Sequence, residues 1–189
     1  MLAWFSSRSA DNDKATELYG AVVAQARAPA FYTECGIQDT PEGRYELIVL
    51  HLVLLLERFA GAGTEGARLS RLVVEAFVRD MDDSLREMGV GDLTVPKKVK
   101  KAAAGLYDRA AVYRVALRQS GSDALQPSLE NHIPGLSENK KSGAELAAYV
   151  HRSVAHLASL SVESLVAGRA SFPAPDLRPS STKCDGGLR

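Results

Sequence analysis

The 189-residue chain is 46% hydrophobic and 24% charged, an ordinary balance for a globular domain long enough to bury one core without disulfides or metal. Its 23 basic and 23 acidic side chains give a formal net charge of zero, which excludes a global field steering it toward nucleic acid and leaves electrostatic function to local segregation of charge. The longest apolar run, residues 47–56, is interrupted by His51 and falls short of the ~18–20 residues of a membrane span.

Residues 1–12 read as a short flexible leader. The Leu2-Ala3-Trp4-Phe5 run is too brief for a signal-peptide core. A frayed terminus is the bland reading; weak contact of Trp4, Phe5 and Arg8 with a membrane interface is the alternative. Asp13 can cap a first helix in which Ala15, Leu18, Tyr19, Val22, Val23 and Ala26 recur at helical spacing, with Pro29 ending it. Residues 31–39, which include Cys35, then form a link or a single turn. Cys35 and Cys184 lie in no disulfide or metal spacing and read as free thiols of a reducing compartment.

Thr40-Pro41-Glu42 starts a second helix with a cap, a first-turn proline and an acid on the positive dipole end. Residues 45–59 are apolar nearly all round, which predicts a central helix. A third helix over residues 67–88 carries Leu69, Leu72, Val73, Ala76, Phe77, Met81, Leu85 and Met88 on one stripe, and Gly89-Val90-Gly91 predicts a left-handed stop. After Pro96 a fourth helix turns Val99, Ala102, Ala103, Leu106, Ala110, Tyr113 and Leu117 inward and closes at Gly121 and Ser122. A short helix within residues 122–131 is followed by a turn at Ile133-Pro134-Gly135. The last long helix, residues 142–167, buries Leu146, Tyr149, Val150, Val154, Leu157, Leu160 and Leu165. Prolines at 173, 175 and 179 and a Ser/Gly-rich end predict a disordered tail over residues 171–189. No segment alternates as a strand. The expected fold is all-α: one compact domain of five to six helices over residues 13–170, with that tail.

Catalytic chemistry finds no foothold. The glycines at 61, 63 and 66 lack the Lys-Ser/Thr of a phosphate loop. His51, His132, His151 and His156 show no metal pattern, since His151 and His156 are five apart and fall on different helix faces. No nucleophile–base pair stands out, so no catalytic residue, metal or cofactor is assigned. His51, inside an apolar helix, calls for a buried partner, and Asp80 on the third helix is one option. Asp80 itself, an acid within an apolar stripe, needs pairing with Arg44, Arg58 or His51, unless the stripe is an open groove awaiting a partner.

Residues 79–101 hold the oddest charge pattern. Lys97, Lys98, Lys100 and Lys101 put four cations in five residues at a helix start, against the helix dipole. They form either a solvated face or a docking surface for RNA phosphate, anionic lipid or an acidic protein. No aromatics interleave them, so base stacking and sequence-specific nucleic-acid reading are not supported.

At these residues the chain resembles the ubiquinol–cytochrome c chaperone family. The string Phe77-Val78-Arg79-Asp80-Met81-Asp82-Asp83-Ser84-Leu85-Arg86-Glu87-Met88-Gly89-Val90-Gly91-Asp92, running on through Leu93-Thr94-Val95-Pro96-Lys97-Lys98-Val99-Lys100, carries the resemblance. The helix from Tyr45-Glu46 to Glu57-Arg58-Phe59 upstream and Ala104-Gly105-Leu106-Tyr107-Asp108-Arg109 downstream extend it. It implies an assembly factor for the cytochrome bc complex with cytochrome b as client, the ribosome or an anionic membrane surface as further partners, and no enzymatic activity. With no long targeting extension, the chain is similar to bacterial members acting in the cytoplasm or peripherally on the inner face of the membrane. A client with apolar segments needs an apolar face and an anionic surface favours cations, so Phe77, Asp80, Met81, Ser84, Leu85 and Met88 are the expected client-binding face, methionine adapting to varied shapes, and Lys97, Lys98, Lys100 and Lys101 the basic docking surface. A general helical adaptor at the membrane surface is the competing reading.

Overall fold

The computed structural model describes residues 2–119, 124–138 and 140–177. These form eight α-helices and one 3-10 turn, and no strand occurs among them: α1 (Leu2–Ala26), α2 (Ala30–Thr33), α3 (Pro41–Ala60), α4 (Gly63–Glu87), α5 (Val95–Arg118), α6 (Leu125–Glu130), the turn Leu136–Glu138, α7 (Lys140–Ser159) and α8 (Val162–Val166). The all-α expectation stands. The side chains of Trp4, Phe5 and Arg8, the closing residues Gly121 and Ser122, and Cys184 lie outside what is described.

Helix α3 is the axis of the molecule, packed against α1, α4, α5 and α7. Its start follows from local chemistry. Thr40 is extended and its hydroxyl oxygen accepts from the Gly43 N–H at 3.1 Å, with Pro41 in the first turn. Unbroken burial from Leu47 to Leu55 is what a helix apolar on every side requires. The end of α4 is equally local. Gly89 takes φ +77°, its N–H donates to the Arg86 carbonyl, and the Val90 N–H donates to the Leu85 carbonyl. That pair of bonds is a Schellman stop, and it reverses the chain into α5.

Several expectations need correction. The first helix starts at Leu2, so Asp13 lies inside it rather than capping it; residues 2–12 contain no proline or glycine to interrupt the turn. The last long helix is two. It breaks after Ser159, and Ser161, extended at ψ 151°, accepts the Ser164 N–H and caps α8. Val154 faces outward at 37% exposure, because Tyr149, Val150, Ser153 and Leu157 already fill the inner face of α7. Residues 171–177, expected to belong to a disordered tail, lie on the domain, with Leu177 only 2% exposed; the rest of that tail, residues 178–189, is outside the described chain. No helix among the described residues is long and apolar enough to cross a membrane.

Candidate client-binding surface

The α4 stripe is mostly turned inward. Phe77 is fully buried and meets Tyr19 of α1 edge-on at 6.3 Å. Asp80, half-buried, has none of its expected partners: it accepts the Tyr19 hydroxyl at 2.7 Å. Burial, reinforced by this bond, pushes the Tyr19 phenol well above its ordinary range. Arg44 instead pairs with Asp39, and Arg58 donates to the Leu157 and Leu160 carbonyls. Met81 packs half-buried against the core, Ser84 and Leu85 are half-buried, and Met88 at the helix end stands 59% exposed. Of the six expected contact residues, only Met88 is freely offered to a partner.

His51 has a different partner from the one expected. Its Nδ1–H donates to the Leu47 carbonyl at 2.7 Å, leaving Nε2 to accept the Tyr149 hydroxyl at 2.8 Å. Full burial lowers its pKa to about 4, so the ring is neutral and structural. Cys35 is likewise interior, donating to the Ser142 carbonyl at 3.5 Å, and burial pushes its thiol up to about 12. A thiol held protonated is a poor nucleophile.

Exposed apolar side chains gather on α5, just after the fully exposed Leu93 of the link that precedes it. Several contacts fix that helix to α3, the Arg114–Glu57 ion pair among them. Arg109 donates twice to the Glu46 carboxylate, at 2.7 and 3.2 Å. The Tyr45 hydroxyl donates to the Ala102 carbonyl at 2.8 Å. Gly105 lies where a Cβ would come within 2.5 Å of the Tyr45 oxygen. The family-like residues Tyr45, Glu46, Gly105 and Arg109 are thus a clasp between two helices. With Leu106 and Tyr113 clasped inward, the opposite face of α5 has no cover among the described residues. Tyr107 is 62% and Val115 58% exposed, and Ala104, Ala111 and Val112 lie open beside them. Toward α6 the row borders a shallow groove of ≈ 460 Å³, lined by Val112, Val115, Ala116, Ala124 and Ser128 among others.

The same row begins in charge. Lys97, Lys98, Lys100 and Lys101 occupy the first two turns of α5, all exposed and without an ion pair among the described residues. Thr94 supplies no side-chain cap and no acid stands in the first turn. The positive end of the helix is therefore uncompensated, as the sequence implied. Stepping by three or four residues, Lys97, Lys101, Ala104, Tyr107, Ala111 and Val115 form one solvent-facing line. The apolar half of that line was missed from sequence. Its signal was present in Tyr107, Ala111, Val112 and Val115, apolar positions left over once the inward row is assigned.

Comparison with known proteins bears on this surface. A family model described as ubiquinol–cytochrome C chaperone matches residues 33–172. The crystal structure of the Cbp3 homolog from Brucella abortus superposes with a TM-score of 0.81 at 36% sequence identity, over 93% of this chain and 97% of that chain. Among curated proteins no match is found. The α3–α5 clasp, the α4 stop and the lysine-bearing start of α5 all fall within the matched span, and the chain belongs to the ubiquinol–cytochrome c chaperone family.

Proposed function

We propose that this chaperone holds newly made cytochrome b during assembly of ubiquinol–cytochrome c reductase, and that it does so on the outer face of α5, with Met88 at the end of α4 beside the same hairpin. The carrying observation is the uncovered apolar row at Tyr107, Ala111, Val112 and Val115. An unassembled membrane protein has apolar segments awaiting partners, and apolar surface covered by a client gains about 25 cal/mol per Å² removed from water. The half-buried α4 stripe would have to leave its own core to do the same.

The lysines give the site an orientation. An anionic inner membrane surface contributes about 1 kcal/mol per nearby cation, so Lys97, Lys98, Lys100 and Lys101 can hold α5 against the headgroups where the client is inserted. Ribosomal RNA is the other anionic surface in reach of a nascent client. Binding alone does the work in this reading; the chain acts as no enzyme.

Capture of tagged chaperone from solubilised membranes, with quantitative mass spectrometry, tests the client. Cytochrome b is expected as the enriched membrane protein. Recovery of unrelated membrane proteins in equal yield would replace this reading with that of a general helical adaptor.

A further inference from the structure

Beyond α8 the chain turns at Gly168, whose φ of +82° and close approach to Lys14 and Glu17 of α1 leave no room for a Cβ. It then crosses α1, α3 and α7 as residues 171–177, in neither helix nor strand. The way it is held separates it from an ordinary terminal segment. Gln25 of α1 donates to the Pro173 carbonyl at 2.9 Å, and Arg152 of α7 donates to the Asp176 carbonyl at 2.8 Å. Both contacts read main chain and are indifferent to sequence. Its apolar anchors are two, five residues apart: Phe172, edge-on to His51 at 5.1 Å, and the buried Leu177. Pro173 and Pro175 preset the extended form and carry no N–H needing a partner.

The floor beneath is nearly complete without this strap. His51 is satisfied by Leu47 and Tyr149, and the Tyr149 hydroxyl also accepts from Gln25 at 2.9 Å. Departure of the strap frees one amide hydrogen of half-buried Gln25, which water can meet. The strap's anchors and hydrogen bonds, including His156 to the Ser171 hydroxyl at 2.9 Å, stand against the ordering entropy of seven residues. These terms are of similar size, so release does not demand unfolding of the domain.

We propose that the channel across α1, α3 and α7 is a binding groove for extended apolar peptide, filled here by residues 171–177 and open to exchange with such a segment of a client. That the incoming segment belongs to a client rests on the chaperone reading above; the groove's affinity for extended peptide does not, and is tested alone.

A fluorescent synthetic peptide with the sequence of residues 170–177 is titrated into the full chain and into a Phe172→Ala/Leu177→Ala variant that gives up its own anchors. The variant binds the peptide at least about tenfold more tightly than the wild type, and adding Gln25→Ala or Arg152→Ala weakens it again. A peptide with alanine at both anchor positions does not bind. No binding by a variant with unchanged circular dichroism overturns the proposal. Should that variant fail to fold, hydrogen exchange in the wild type decides. Amides of Ala174, Asp176 and Leu177 that open far more readily than those of α3 support exchange, and equal protection in the two overturns it.

Discussion

His51 shows how one side chain joins three helices. Its protonated nitrogen serves the turn below it in α3, its bare nitrogen serves Tyr149 of α7, and Tyr149 in turn accepts from Gln25 of α1. The arrangement needs a neutral ring, and burial supplies one by lowering the pKa to about 4. An unfolded chain takes up this proton near pH 6.5, whereas the folded chain resists until about 4. Acidification through that window therefore favours the unfolded chain alone. We expect the stability advantage of the wild type over His51→Phe, from urea unfolding, to shrink by about 3 kcal/mol between pH 7 and pH 4. A constant difference would mean that the folded chain takes up this proton as readily as the unfolded one. The sequence singled out His51 as a buried group in need of a partner but offered Asp80, because a contact across 98 residues leaves no local trace. Asp80 was likewise given three wrong partners, since Tyr19 lies 61 residues away.

Among the elements, α5 carries two loads on opposite faces, and its clasp to α3 keeps them apart. Gly105→Ala pushes a methyl against the Tyr45 oxygen. We expect a loss of about 1–3 kcal/mol by denaturant titration, largely relieved in a Tyr45→Phe background; additive losses would dissolve the clasp argument. The lysine start makes a second prediction with opposite signs for stability and function. Replacing Lys97, Lys98, Lys100 and Lys101 by glutamate places favourable charge on the helix start, at about 0.3–1 kcal/mol each at low salt. The variant should melt higher yet lose low-salt sedimentation with vesicles containing anionic lipid. Unchanged sedimentation would remove the lysines from the docking role. Two helix ends were legible in the sequence: the Thr40 cap with Pro41 and the Gly89 stop act within one turn, so the chemistry is written beside the structure. The open apolar face of α5 was not legible. That helix has two apolar rows, and the choice of which one packs is made by Glu46 and Tyr45 on another helix.

At the scale of the molecule, a central helix apolar on all sides recruits α1, α4, α5 and α7 around it, and the matched family span covers most of that body. On the proposed reading, the chaperone works with what the packing leaves over: a cation-led apolar row on α5, and a groove filled by a proline-bearing strap. The strap was read as tail because prolines exclude helix and strand alike, while its anchors, Phe172 and Leu177, gain meaning only against the surface they cover. The claim that cytochrome b rests on α5 is tested most directly by placing a photo-crosslinking residue at position 115, with a control at exposed Arg79 on α4, and irradiating membranes in which cytochrome b is being made. The proposal predicts a cytochrome b adduct from position 115 and little from 79; an adduct from 79 and none from 115, with both variants folded, would contradict it.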